Sequence, residues 1–106
     1  MKAAVVVANE DVQYQEIEEP EVTKGAVKIK VRYSGICGSD IPRVLNHGVH
    51  FYPIVLGHEF SGDVVEVGEG VTKVKVGERV SGAPLLPCMK CDDCQKGNFS
   101  LCKHYS

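Results

Sequence analysis

Apolar and polar residues alternate along "AVKIKVRY" (26–33). Val27, Ile29, Val31 and Tyr33 fall on one side of an extended chain, and Lys28, Lys30 and Arg32 on the other. A period of two marks a strand with one wet face. Upstream, "KAAVVVA" (2–8) is an apolar run that predicts a first strand. "VQYQEIE" (12–18) predicts its antiparallel partner beyond a turn at 9–11. Downstream, "SGDVVEVG" (61–68) and "VTKVKVGERVSG" (71–82) predict further short strands, punctuated by Gly68, Gly70, Gly77 and Gly82. Short strands with frequent glycine turns predict a mainly β barrel or sandwich.

Two segments break this pattern. "CGSDIPRVLNHG" (37–48) predicts a short helix, with Ser39 or Asp40 as its cap, Pro42 in its first turn and Gly48 as its stop. From Pro84 to His104 the alternation disappears, and turn-forming residues and cysteines take over. That stretch predicts an excursion held by something other than an apolar core.

Composition narrows the picture. At 106 residues the chain is one domain at most, large enough for a core, and 43% hydrophobic with 25% charged residues. A formal net charge of −2 without a basic stripe argues against nucleic acid as partner. The apolar run at Ala3–Ala8 is too short for a secretory core or a membrane span, so the expected setting is cytoplasmic, with no membrane partner. Thiols there are kept reduced, and five cysteines cannot all pair, so disulfides are disfavoured.

Four of those cysteines, Cys88, Cys91, Cys94 and Cys102, are spaced C-x2-C-x2-C-x7-C. Thiolates two residues apart can face one ion from a tight turn, and four make a closed tetrahedral zinc site. A ferredoxin-type cluster opens with the same spacing, but its last cysteine follows after three residues and precedes proline. Here seven residues intervene and Lys103 follows, so the spacing favours structural zinc. The fifth cysteine, Cys37, is by itself a small buried hydrophobe more often than a ligand. Read with His58 and Glu59 of "GHE", it completes a cysteine–histidine–carboxylate set. Such a set leaves a position open on zinc, as catalysis requires. Gly57, Gly62, Gly68 and Gly70 read as turn or bulge residues, since no third glycine completes a dinucleotide fingerprint.

"CGSD" (37–40), "GHEFSGDVVEVGEGV" (57–71) and the four-cysteine lobe (84–104) stand in the order found in zinc-dependent medium-chain alcohol and polyol dehydrogenases. The chain resembles that family over essentially its whole length. "PRV", "HFYPIVLGHEFSG" and "PLLPC" look most like its sugar-alcohol phosphate branch, with the sorbitol branch near. The resemblance implies a GroES-like, partly open β-barrel. It implies that Cys37 and His58 ligate a catalytic zinc, with Glu59 beside it, directly or through water. It also implies that Ser39 takes the proton of the substrate alcohol, that Asp40 orients the zinc-bound histidine, and that Cys88, Cys91, Cys94 and Cys102 hold a structural zinc. The implied reaction is oxidation of a secondary alcohol of a polyol or sugar-alcohol phosphate, galactitol 1-phosphate foremost, with hydride transfer to NAD. A homo-oligomeric parent is implied as well.

Two departures from the family stand out. Many members carry a relay histidine where this chain has Pro42, with Arg43, His47 and His50 nearby. Arg43 is a candidate for a substrate phosphate, a solvated arginine being the plain alternative. The chain also stops at Ser106, four residues past Cys102, whereas the family continues into a Rossmann domain. Residues 1–106 are therefore expected to be the amino-terminal catalytic domain of a longer enzyme. The alternative, a non-enzymatic zinc-knot β-domain that binds a partner, leaves Cys37 and "GHE" unexplained. The 106-residue chain by itself is expected to turn over no polyol and to hold its structural zinc more tightly than its catalytic zinc. Assays with polyols and nicotinamide cofactors, together with metal analysis, check both.

Overall fold

The computed structural model describes residues 1–105 of the chain. Strands β1 (Lys2–Ala8) and β2 (Asp11–Glu16) form the expected antiparallel hairpin, with Val6 opposite Val12. Strands β3 (Val27–Gly35), β4 (Glu59–Val67) and β5 (Arg79–Ser81) form a second antiparallel sheet with β4 in the middle. Helix α1 (Asp40–Leu45) lies between β3 and β4, and a four-residue helix α2 (Asp92–Gln95) and a 3-10 turn at Phe99–Leu101 lie in the cysteine lobe. The result is mostly strand with open sheets, as the alternation implied.

Backbone bonds tie the hairpin to the segments around the site. Val6 exchanges hydrogen bonds with Ile54, at 2.8 and 3.0 Å, and the Glu10 N–H at the hairpin turn donates to the Val44 carbonyl of α1 at 2.7 Å. Val5, Val6 and Val64 are the buried aliphatic residues, at 4%, 3% and 1% exposure. Among the described residues Cys94 and Cys102 are the other buried apolar side chains, while Cys88 and Cys91 are half-buried. At the second sheet, Asp63 of β4 accepts from Arg32 of β3 at 2.8 Å and lies 3.7 Å from Arg79 of β5. The Arg32 bond first of all holds the Asp63 carboxyl below its ordinary range. The arrangement links three strands, although exposed pairs of this kind add little stability individually.

Several sequence expectations shift. The segment at 71–82 was expected to be largely strand, but only 79–81 pairs. Before it the chain folds into turns: Val71 donates to Gly68, and Gly77, at φ +94°, donates to Val64. The helix is shorter than 37–48, because His47 closes back on Pro42 and Gly48 turns away at φ +72°. Ser39 stands at its N-cap without a side-chain capping bond, because its hydroxyl goes to Cys37 instead. The lobe, expected to be built of turn-forming residues, also contains the short helix α2. The apolar face of β3 is only partly covered, with Val31 54% and Tyr33 79% exposed. Register shifts after Lys28 and after Val31 break the simple two-face alternation.

Gly62, buried in β4, is where β3 and β4 approach closest. A Cβ there would collide with the Lys30 carbonyl, a backbone atom that cannot swing away. Gly38 has open space around its Cβ position and no positive φ. Gly62→Ala is therefore expected to destabilise by about 3 kcal/mol, the upper end for overpacking. Gly38→Ala is expected to stay within about 0.5 kcal/mol. Urea unfolding of the two variants checks the contrast.

Candidate functional site

The pairing of β3 with β4 assembles the first group. Gly35, the last residue of β3, faces Glu59, the first of β4. Cys37 lies two residues beyond one strand end and His58 one residue before the other strand start. Cys37, His58 and Glu59 thus come together with their ligand atoms within 4.8 Å of one another. Gly57, at φ +136°, provides the bend into His58. Gly35 leaves room for the carboxylate: a Cβ there would stand 2.8 Å from Glu59 Oε2. Gly35 was not singled out from the sequence, and only its place at the end of an alternating strand could have pointed to it.

The start of α1 completes the surroundings. Asp40 is 7% exposed, and its Oδ2 accepts the Cys37 N–H at 3.0 Å. Its Oδ1 is buried without a hydrogen-bond partner and lies 3.9 Å from His58 Nδ1. That orphaned oxygen suits a histidine whose other nitrogen binds a metal, because the Nδ1–H then has a carboxylate to face. The Ser39 hydroxyl donates to Cys37 Sγ at 3.3 Å, and Arg43 Nη1 donates to Ser39 Oγ at 3.4 Å. Pro42 carries no relay group, and it is Arg43, not His47 or His50, that reaches Ser39. His47 and His50 instead line a cavity of about 450 Å³ with Arg43.

The four lobe cysteines form the second group, all free thiols with sulfurs within 4.8 Å of one another. Cys88 Sγ and Cys94 Sγ are 3.9 Å apart. A tetrahedral ion with bonds of about 2.3 Å needs an S···S edge of about 3.8 Å. The turn after Cys88 is built for this: Met89, at φ +64°, directs the Lys90 and Cys91 N–H groups onto Cys88 Sγ, each at 3.3 Å. Cys102 Sγ accepts from the N–H groups of Cys88 and His104 at 3.3 and 3.4 Å. These donations depress the Cys88 thiol. The Cys91 thiol is pulled down to about 6, chiefly by the backbone N–H of Cys94 and then that of Lys103. Burial pushes the Cys94 thiol the opposite way, up to about 12. Four sulfurs this close together, two of them buried, repel one another if all ionise without a cation among them, so the donor set fits a soft or borderline divalent ion.

Open β sheets, a short helix beside a Cys–His–Glu group and a four-cysteine lobe define a class, and this chain belongs to it: the alcohol dehydrogenase GroES-like domain family, matched over residues 23–106. Among its relatives is galactitol 1-phosphate 5-dehydrogenase of Escherichia coli K12, 44% identical over 99% of this chain and 31% of the relative. The crystal structure of galactitol-1-phosphate dehydrogenase from Escherichia coli superposes with a TM-score of 0.92 over 100% of this chain and 31% of that one. Sorbitol dehydrogenase of Halalkalibacterium halodurans is 46% identical over 98% of this chain and 31% of its own length. An alcohol dehydrogenase of Escherichia coli CFT073, solved with its cofactor NADH, is 38% identical with a TM-score of 0.87, over 100% of this chain and 31% of that one. The chain spans about a third of the length of the relatives it matches. Among the described residues no helix is long and apolar enough to cross a membrane.

The lobe is expected to take up one cobalt ion with the intense absorption of tetrahedral thiolate coordination. Cys94→Ser should abolish that band and Cys37→Ser should leave it. A spectrophotometric cobalt titration reads both.

Proposed function

We propose that this chain is the zinc-holding catalytic domain of a cytoplasmic, homo-oligomeric dehydrogenase. Its reaction is the oxidation of a secondary alcohol of a polyol or sugar-alcohol phosphate, galactitol 1-phosphate foremost, to a ketone. The observation that carries the reading is the convergence of Cys37, His58 and Glu59 beside the Ser39 hydroxyl. In it, Cys37, His58 and Glu59 are the residues that hold a catalytic zinc, and Cys88, Cys91, Cys94 and Cys102 hold a structural one. The galactitol 1-phosphate and sorbitol relatives support the substrate class, and the NADH-bound relative supports NAD as acceptor. The acceptor domain is expected in the part of the parent enzyme that this chain does not span.

When bound, the catalytic ion supplies Lewis acidity that lowers the pKa of the alcohol. This chain's residues manage the proton. Ser39 Oγ lies 3.3 Å from Cys37 Sγ, so an alcohol oxygen at the metal position is within its reach. The hydroxyl accepts the alcohol proton as it passes its own proton to solvent, and the carbon hydrogen leaves as hydride to the nicotinamide, giving a ketone, the reduced cofactor and one released proton. Arg43, donating to Ser39 Oγ at 3.4 Å, favours negative charge on that oxygen and stands where the relay histidine is missing. Asp40 secures the loop by accepting the Cys37 N–H and presents its free oxygen to the imidazole. The four-thiolate lobe has no open position and takes no part in the chemistry.

In the intact protein, galactitol 1-phosphate is expected to drive NAD reduction, followed by NADH absorbance. Cys37→Ser and His58→Ala should each lose at least about 10³-fold in turnover with unchanged circular dichroism, the size expected when a key group of an active site is removed. Ser39→Ala should lower kcat by roughly 10²–10⁴-fold, the range for a positioned acid–base group. Full activity in Cys37→Ser would refute the assignment and favour a non-enzymatic zinc module.

A further inference from the structure

We propose that the cavity bounded by Arg43, His47 and His50 receives the phosphate of the substrate and so selects a sugar-alcohol phosphate over a plain polyol. The inference rests on the dehydrogenase reading, which places the reacting alcohol at Cys37 and His58. The cavity holds about 450 Å³, and its polar side chains are one arginine and two histidines with no carboxylate among the lining residues. Phe51, Ile54 and Leu56 form its apolar wall. An open cleft with basic side chains on one side and an apolar wall on the other favours an anion over a neutral hydroxyl.

Among the described residues Arg43 uses only one of its nitrogens. Its contacts to Ser39 Oγ at 3.4 Å and to Asp40 Oδ1 at 3.6 Å are long, and both involve Nη1. A guanidinium has five donors, so a forked pair remains for a phosphate. The loop beside it contributes more donors: the N–H groups of Gly48, Val49 and His50 have no acceptor among the described residues. Gly48, at φ +72°, turns that loop along the cavity.

The position fits the chemistry. In a 1-phosphate oxidised at carbon 5, four carbon–carbon bonds separate the reacting carbon from the phosphate-bearing one. The anion pocket must therefore stand about a side chain's length from the metal ligands. Arg43 does, since it reaches Ser39, which in turn reaches Cys37. A substrate would span from the Cys37 group to the cavity with Arg43 at the corner.

The test uses the intact protein and two substrates, galactitol 1-phosphate and galactitol. Arg43→Gln is expected to raise KM for the phosphate roughly 10–100-fold, the range for charge-assisted bonds to an anion. Because Arg43 also touches Ser39, kcat should fall on both substrates, and the readout is the ratio of the two KM values, which should rise for the phosphate relative to galactitol. His47→Gln and His50→Gln, which do not touch Ser39, should move the same ratio in the same direction with kcat preserved. In parallel, inorganic phosphate is titrated against the 15N-labelled protein. It should shift the amides of residues 48–50 in the native protein and not in Arg43→Gln. Equal KM increases on both substrates, or an unchanged KM ratio with no phosphate-induced shifts, would overturn the proposal. Amide shifts that depend on Arg43 in a protein that oxidises no polyol would uphold the anion pocket and end the dehydrogenase reading instead.

Discussion

The antiparallel register that sets Gly35 opposite Glu59 is the constraint on which the rest depends. It joins two chain segments more than twenty residues apart and brings the loop after β3 beside the entry to β4. Cys37 and His58 become neighbours for that reason alone. A slip of one residue would turn every β4 side chain to the opposite face and separate the pair. Two glycines protect the register: Gly62 allows the strands to close at Lys30, and Gly35 allows Glu59 to stand where a side chain would obstruct it. A sheet with few buried aliphatic residues thus holds a site to within a few ångströms, because backbone pairing rather than core mass does the positioning.

The cysteine lobe solves a different problem. Pro84 to His104 contains too little alternating apolar sequence to bury itself, and its enclosed side chains include the sulfurs of Cys94 and Cys102. Backbone N–H groups already face Cys88 and Cys102, so the loop is arranged around negative charge before any ion is considered. The opposed behaviour of Cys91 and Cys94 follows from the same arrangement: one sulfur is solvated by amides and the other is enclosed. A central cation reconciles the two, and its binding free energy becomes folding free energy for the segment.

Around the first group, one buried carboxylate connects geometry to chemistry. Asp40 ties down the Cys37 backbone with one oxygen and leaves the other without a hydrogen bond, 3.6 Å from Arg43 and 3.9 Å from His58. A buried acceptor without a donor is costly unless function employs it. Arg43 bonds Ser39 and also lines the basic cavity, so in the proposed reading proton handling and the selection of an anionic substrate would meet at one side chain. The chain belongs to the alcohol dehydrogenase GroES-like domain family, and both groups of its residues could hold a metal ion.

Much of this was legible in the sequence because it is local. Alternation over 26–33 and 61–67 specified β3 and β4, and the spacing of Cys88, Cys91, Cys94 and Cys102 specified one closed site, since short turns restrict where their sulfurs can go. Other features were not local, and sequence misjudged them. The strand signal at 71–82 failed because Gly77 donates to Val64, and Val64 in turn to Glu78, across a turn that no period-two pattern reveals. Ser39 is a cap by composition but not by contact, because Cys37 Sγ competes for its hydroxyl. The sequence by itself determined which residues could ligate a metal and which stretches could pair. Only the tertiary structure decided that Gly35 meets Glu59, that Arg43 rather than a histidine reaches Ser39, and that Arg43, His47 and His50 share a cavity. Those outcomes depend on strand register and on how a six-residue helix sits against a hairpin turn, and neither is encoded in any single window of the chain.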